Sequence, residues 1–249
     1  MLLLSLAGGA RAQTIATNPT TIYNPRFNAW LMLVSDARLS DKWGLHTEGQ
    51  LRQVQGPNAP QQKFLRVGVN YHAVHILVFT AGYAYSIAYP DGNDSELGGL
   101  PEHRGYQQLL LRFDSSRVQS QHRYRLEQRW VRRPGDLKFT YLNRFRYQLR
   151  LVLPLGAERK LTPGTPYLAG SNEVFIGFGR NSGRRSFFNQ NRACLAVGYQ
   201  VNRATALEAG YMNQIAQQEE MPSLAATHIL HLALNFNPDF RRGKLAVNE

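Results

Sequence analysis

Two neighbouring segments of the chain alternate charged and apolar residues at every second position. Residues 121–130 read Gln-His-Arg-Tyr-Arg-Leu-Glu-Gln-Arg-Trp, and residues 144–151 read Arg-Phe-Arg-Tyr-Gln-Leu-Arg-Leu. Because successive side chains of a strand point to opposite faces, each segment predicts a strand with one charged face and one apolar face. A soluble sandwich turns its charged faces to water, whereas a membrane barrel turns its apolar faces to lipid and its polar faces to the lumen.

The same alternation recurs along most of the chain and predicts eleven amphipathic strands. The predicted strands are residues 28–39, 42–53, 62–72, 74–88, 102–114, 121–130, 144–151, 167–178, 188–201, 205–217 and 228–236. Because no helical periodicity appears between them, the pattern predicts an all-β protein. Tight turns, such as residues 72–73 and 202–203, alternate with longer links, such as residues 89–101, as they do in membrane barrels. The link over residues 154–166 departs from this order.

The number of strands bears on how such a sheet closes. Bacterial membrane barrels usually have an even number of antiparallel strands and both chain ends on the periplasmic side. We therefore predict a closed, antiparallel, up-and-down transmembrane β-barrel of about 12 strands (roughly 10–12), in which residues 14–23 form a weak first strand or one strand is wrongly divided. Aromatic residues near strand ends suit the two membrane interfaces. These residues are Trp30, Trp43, Tyr89, Trp130, Tyr141, Tyr167 and Tyr211.

The two ends of the chain differ from its middle. The first ten residues are mostly apolar and run into Ala10-Arg11-Ala12, which is typical of a signal-peptide cleavage site. We predict a signal peptide over residues 1–12, the barrel over residues 13–236 and a polar, basic tail over residues 237–249. A buried N-terminal strand is the alternative for the first segment. Export predicts a location in the outer membrane of a Gram-negative bacterium, with outer-membrane lipid and lipopolysaccharide as partners.

Hydropathy and charge favour a barrel over an ordinary basic protein. After residue 12 no apolar run reaches the ~20 residues of a membrane-spanning helix, and the mean hydropathy of −0.38 fits strands that are half polar. A net charge of +12 by itself indicates nucleic-acid binding. The arginines, however, recur at every second position of strands, so we predict no nucleic-acid partner. The single cysteine, Cys194, excludes an intramolecular disulfide and is interpreted as a passive strand thiol.

Seven short runs of residues carry a resemblance to a known family. In chain order they are Trp30; Lys42-Trp43-Gly44-Leu45 with Glu48 and Arg52; Tyr124-Arg125-Leu126-Glu127-Gln128-Arg129; Arg144-Phe145-Arg146-Tyr147; Asn172-Glu173-Val174-Phe175-Ile176; Asn191-Arg192 with Gly198-Tyr199-Gln200; and Leu207-Glu208-Ala209-Gly210-Tyr211-Met212. Together they resemble the domain-of-unknown-function 2490 family of Bacteroidota over nearly all of the chain after residue 12. The resemblance implies an outer-membrane barrel and brings no established activity with it.

The polar faces of the predicted strands supply a set of charged lumen residues. Its arginines are Arg52, Arg66, Arg104, Arg112, Arg123, Arg125, Arg129, Arg144, Arg146, Arg150 and Arg192, and its carboxylates are Glu48, Glu127, Glu173 and Glu208. The arginines outnumber the carboxylates, and an uncompensated charge in a narrow lumen is costly. Three compensations stay open. A long loop with Asp91, Asp94, Glu96 and Glu102 could plug the lumen, mobile anions could fill it as in a basic pore, or an anionic headgroup such as a lipopolysaccharide phosphate could bind there.

Signatures of catalysis and metal binding do not appear in the sequence. Neither a G-x-S-x-G element nor an H-E-x-x-H motif occurs. His228 and His231 lie three positions apart, on opposite faces of a strand, so they cannot chelate one metal. We predict no enzyme, metal or cofactor, and a structural or plugged outer-membrane barrel whose lumen is held by arginine and glutamate. The alternatives are a narrow pore that favours small anionic solutes and a secreted soluble β-protein that binds an acidic ligand.

Overall fold

The fold is a closed barrel made entirely of β-strands. The computed structural model describes residues 21–54, 60–89, 99–114, 117–156, 160–181, 187–217 and 224–241, and these residues form eleven strands and no helix. The strands are β1 Thr21–Arg38, β2 Trp43–Val54, β3 Pro60–Val74, β4 Leu77–Ala88, β5 Leu100–Phe113, β6 Gln119–Arg132, β7 Phe139–Pro154, β8 Pro166–Phe178, β9 Phe188–Gln200, β10 Thr205–Gln217 and β11 Leu224–Phe236. The predictions of an all-β protein and of a closed barrel are confirmed. No helix in the described part of the chain is long and apolar enough to cross a membrane.

Closure of the barrel departs from the prediction in the direction of one strand pair. Consecutive strands pair antiparallel, but β1 and β11 pair in parallel, from Phe27 opposite His228 to Val34 opposite Asn235. A parallel seam lets an odd number of strands close. The eleven strands of the described residues lie within the predicted range of roughly 10–12, whereas the expectation that every pair is antiparallel is wrong at this seam. Of the weak first strand predicted at residues 14–23, the last three positions belong to β1, and residues 14–20 lie outside the described chain.

The connections divide the barrel into two ends. At one end, here called the turn end, strands are joined over residues 39–42, 75–76, 114–118, 155–165 and 201–204. At the other, the loop end, they are joined over residues 55–59, 89–99, 133–138, 179–187 and 218–223. The parallel seam makes β1 begin at the loop end and β11 finish at the turn end, so the expectation of both ends on one side does not hold for the barrel. The link between β7 and β8 remains the long exception at the turn end.

Side chains alternate between an apolar outer face and a polar lumen. In β9, Leu195 is 65% exposed on the outside, whereas its neighbour Ala196 is buried inside. Leu65 and Leu230 project outward in the same way, and Arg125 and Glu127 are buried in the lumen. The period of two in the sequence therefore sets which side of the curved sheet is apolar.

Aromatic side chains on the outer face gather near the two ends of the barrel. Toward the loop end the rings of Trp130 and Tyr141 lie 5.3 Å apart, and toward the turn end those of Trp43 and Tyr71 lie 5.0 Å apart. Tyr89 follows β4 at the loop end. Tyr211 is exposed on the outer face but lies in the middle of β10, so its predicted place near a strand end is wrong.

Two aromatic residues predicted for these belts lie in the lumen instead. Trp30 and Tyr167 are 4% and 2% exposed. Both occupy inward positions of the alternation, where Trp30 packs against arginine side chains and the Tyr167 hydroxyl donates to Glu208 at 2.8 Å. Position near a strand end did not reveal which face each ring would take.

The described part of the predicted tail returns to the turn end. The amide of Arg38 donates to the carbonyl of Pro238 at 2.8 Å, and the amide of Phe240 donates to the carbonyl of Arg38 at 2.8 Å. Arg241 forms ion pairs with Asp239 at 2.5 Å and Asp41 at 3.0 Å. Residues 237–241 thus pack beside the end of β1, and residues 242–249 lie outside the described chain.

Candidate functional site

Buried charged side chains cross the middle of the lumen. Five of them form a continuous row that we call the central layer, and all five are almost fully buried. They are Glu48 of β2, Arg66 of β3, Glu127 of β6, Arg146 of β7 and Glu173 of β8. Because the strands that carry them lie around the barrel, pairing between these side chains joins opposite parts of the wall.

Glu127 is the hub of the central layer and is 0% exposed. Its Oε2 accepts from Nε and Nη2 of Arg144 at 2.8 and 2.6 Å, and its Oε1 accepts from Nη1 of Arg146 at 2.7 Å. Nη2 of Arg66 lies 3.4 Å from the same Oε1. Since β4 and β5 lie between β3 and β6 in the sheet, the contact between Arg66 and Glu127 spans the lumen.

The row continues to both sides of this hub. Nε of Arg146 donates to Glu173 at 3.0 Å, and Glu173 also accepts from Nη2 of Arg123 at 2.9 Å. On the other side Arg66 pairs with Glu48. Charge-assisted bonds of this kind compensate the burial of each ion only when both partners are present.

Two smaller clusters flank the central layer. Glu102 accepts from Nε and Nη2 of Arg104 at 2.6 and 2.8 Å and from Nε and Nη2 of Arg129 at 2.5 and 3.1 Å. Toward the turn end, Glu208 pairs with Arg150 and accepts from the hydroxyl of Tyr167. The interpretation of Glu102 as part of a plugging loop is wrong, because it lies within β5 and points inward. Asp91, Asp94 and Glu96 of that proposed plug lie outside the described residues.

Asp36 is a lumen carboxylate that the sequence analysis missed. Its Oδ1 lies 2.8 Å from Nδ1 of His46 and accepts from the amide of Asn70 at 2.8 Å. Asp36 shares the inward face of β1 with Trp30 and Val34, whose apolar character hid the alternation. Counting every second residue from Trp30 would have found it.

Four arginines of the predicted set form no ion pair with any residue that the structure describes. They are Arg52, Arg112, Arg125 and Arg192. Neutral amides hold three of these guanidinium groups: Gln62 accepts from Arg52 at 2.6 Å, Gln108 from Arg125 at 2.9 Å and Gln214 from Arg192 at 3.1 Å. An amide oxygen satisfies a donor without neutralising its charge, so the lumen keeps a positive surplus.

Aromatic rings pack against the guanidinium groups on the lumen side. Arg52 and Arg192 lie 4.1 and 4.8 Å from the centre of the Trp30 ring, and Arg146 and Arg192 lie 4.5 and 4.7 Å from that of Phe175. A cation over an aromatic face is attracted by the ring quadrupole. The rings therefore help to fix the arginine side chains in place.

Two cavities lie on either side of the central layer. The loop-end chamber has a volume of about 190 Å³, and the turn-end chamber one of about 330 Å³. Of the remaining predicted site residues, Arg52, Arg104, Arg129 and Arg144 line the loop-end chamber, Arg112, Arg123, Arg125, Arg150 and Glu208 line the turn-end chamber, and Arg192 lines both. Glu48 and Arg146 of the central layer also line both chambers, so this layer stands between them.

Other reactive groups do not form a second centre in the described chain. His231 is buried in the lumen, whereas His228 lies against Tyr211 on the outer face. Among the described residues no group of three or more histidine, cysteine or acidic side chains could hold a metal ion. Cys194 is a free thiol that partly faces the turn-end chamber.

Comparison with known proteins gives the family of the chain. A family model described as "Protein of unknown function (DUF2490)" matches residues 27–223. The chain therefore belongs to this family, as the resemblance implied. No curated protein and no solved structure matches the chain.

Proposed function

We propose that this DUF2490 protein is an outer-membrane β-barrel of a Gram-negative bacterium, a structural barrel whose lumen is closed by the arginine–carboxylate network. The observation that carries the proposal is the inversion of burial. Leucines such as Leu195 are exposed around the outside, while Arg66, Glu127 and Arg146 are buried within. Lipid is the surrounding that an apolar exterior of this kind suits.

The height of the apolar band on the outer face supports a membrane position. On β11, His228 near the loop end and Phe236 at the turn end bracket the exposed Leu230 and Leu232. Eight steps of ~3.3 Å along a strand tilted by about 40° give an apolar band roughly 20 Å tall. This height is close to the ~25 Å band of outer-membrane barrels.

The central layer supports a closed lumen. A continuous path between the chambers requires that buried pairs such as Arg146–Glu127 and Arg66–Glu127 separate. Breaking one partner from a buried ion pair costs about 3–5 kcal/mol. The resting barrel is therefore held shut by its own side chains, and the proposal assigns it no catalytic activity.

Fractionation tests the location. The full-length protein should collect with the outer membrane, and it should migrate faster on a denaturing gel before heating than after it. A protein that appears in the periplasmic extract and shows no heat-dependent mobility would instead be the secreted soluble β-protein that binds an acidic ligand.

Planar-bilayer recording tests the closed lumen. Purified protein should insert without steady conductance across many recordings. The second candidate, a narrow pore for anionic solutes, is favoured by the positive surplus of the lumen. It requires a steady anion-selective current that falls when Arg125 and Arg146 are changed to alanine. Such a current would overturn the structural role and leave the membrane location intact.

A further inference from the structure

The loop-end chamber is the more strongly basic of the two lumen chambers. Its walls carry many more guanidinium groups than carboxylates. The arginines are Arg52, Arg66, Arg104, Arg129, Arg144, Arg146 and Arg192, and the carboxylates are Glu48 and Glu102. Even with Glu127 behind the wall, these cations exceed the acidic groups that face them. An enclosed positive excess of this kind attracts a compensating anion.

Two of these arginines meet at one aromatic ring without a carboxylate. The guanidinium groups of Arg52 and Arg192 lie 4.1 and 4.8 Å from the centre of the Trp30 ring. Within the described chain neither forms an ion pair, and each is held by glutamine oxygens. Both arginines also line the loop-end chamber. Like charges that face one enclosed space repel each other, and a neutral glutamine does not remove this repulsion. An anion bound in the chamber would reduce it.

Other donors on the chamber wall are left free by the ion pairs. Arg104, Arg129 and Arg144 each donate through Nε and Nη2 to a carboxylate. The Nη1 group of each therefore has no acceptor among the described residues, although all three arginines line the chamber. Free guanidinium N–H groups are matched in geometry by the oxygens of phosphate, sulfate or carboxylate.

We infer that the loop-end chamber binds a small oxyanion of the phosphate or sulfate class through Arg52 and Arg192. Its volume of about 190 Å³ leaves room for a tetrahedral oxyanion together with water. The site goes beyond the proposed function, because it requires the chamber alone and neither the membrane location nor a closed lumen.

Calorimetric titration of the purified, folded full-length protein in detergent tests the site. Inorganic phosphate and sulfate should bind saturably at constant ionic strength, and chloride should not. Arg52→Gln combined with Arg192→Gln should weaken binding at least about tenfold, because charge-assisted hydrogen bonds are lost. Arg112→Gln is the matched control. It removes another arginine without an ion pair in the described chain, but from the turn-end chamber, so phosphate affinity should stay unchanged.

Several results would overturn the inference. They are the absence of saturable phosphate or sulfate binding to the unaltered protein, full affinity in the double variant, and an equal loss in Arg112→Gln. Circular dichroism checks that each variant is folded. If the double variant does not fold, Arg192→Lys decides, because it keeps the charge and removes the planar fork. It should lose affinity severalfold, and unchanged binding would refute the site. Because none of these readouts uses a membrane, they fail independently of the proposed function.

Discussion

Among the described carboxylates of the lumen, Glu127 pairs with the largest number of arginines. It accepts from Arg144 and Arg146 and faces Arg66 across the barrel, with no exposed surface of its own. Its negative charge is thus shared among three cations. Arg144 has no other carboxylate partner among the described residues, whereas Arg66 and Arg146 also pair with Glu48 and Glu173.

Substitution of Glu127 by glutamine tests this dependence. The change keeps the size of the side chain and leaves the buried guanidinium group of Arg144 without a carboxylate partner among the described residues. Arg66 and Arg146 lose one of two partners, so the free energy of unfolding should fall by about 3–5 kcal/mol. Urea titration in detergent, followed by circular dichroism, measures it. Asp41→Asn is the control, because Asp41 also pairs with an arginine but its side chain is 89% exposed, and it should cost less than about 1 kcal/mol. Equal effects of the two changes would contradict a central role for Glu127.

The sequence was informative about which face a residue takes and uninformative about its partner. Alternation placed the side chains of Arg125 and Arg146 on one face of neighbouring strands. That Arg66 reaches Glu127 follows from the diameter of the barrel and from side-chain length, which no local pattern contains. Glu102 was assigned to a plug because it follows a long acidic loop, yet β5 begins two residues earlier. Trp30 was assigned to an interface because ring chemistry alone does not distinguish lumen from lipid.

At the scale of strands, one tyrosine side chain passes over a glycine of the neighbouring strand and contacts the strand beyond it. Tyr167 of β8 lies opposite Gly198 of β9 and passes over it to donate to Glu208 of β10. A Cβ atom at Gly198 would run into the Tyr167 ring. Because Gly198 has no side chain, the hydroxyl of Tyr167 can reach across β9 and donate to Glu208.

A side chain at Gly198 should destabilise the barrel. We expect Gly198→Val to displace Tyr167 and lower the free energy of unfolding by about 1–3 kcal/mol, the usual cost of overpacking. Gly170→Val is the control, because nothing lies near the corresponding Cβ position. In the background of Tyr167→Ala, the cost of Gly198→Val should shrink, since the clash is gone. An unchanged cost in that background would show that the ring is not the cause.

Two positions on the outer face of β9 test whether the middle of the strand lies deeper in lipid than its end. Leu195 lies in the middle of the strand and Val201 just beyond its turn-end limit, and both are exposed. If lipid surrounds the barrel, Leu195→Arg should destabilise it by about 2–4 kcal/mol and Val201→Arg by at most about 1 kcal/mol. Unfolding in lipid vesicles measures both. Two equal and small effects would speak for water around the barrel.

Strand limits followed from the sequence more closely than strand pairing did. The runs of alternating residues lie within or close to the observed strands, because pleating imposes the same period in every sheet. The parallel register of Leu31 with Leu232 depends on how the ring closes, which is a property of all strands together. The expectation of an even count came from other barrels and not from any residue of this one.

At the scale of the whole molecule, the three tryptophans can show by fluorescence which face of the barrel wall is in contact with lipid. Trp43 and Trp130 are exposed outside, and Trp30 is buried inside. In vesicles of lipids with brominated acyl chains, we expect quenching of Trp43 and Trp130 emission and little quenching of Trp30. Variants that keep one tryptophan and carry phenylalanine at the other two separate the signals. Strong quenching of Trp30 in a folded barrel would contradict its place in the lumen.

Because β1 pairs with β11, the barrel can close only after the last strand has been synthesised. The strands that meet there are the first and the eleventh in order, so a nascent polypeptide interrupted before residue 224 would leave the free margins of β1 and β10 without partners. Unpaired backbone groups in hydrocarbon cost several kcal/mol each. If the barrel lies in a bilayer as proposed, only copies synthesised through β11 will persist there, so ring closure selects complete chains.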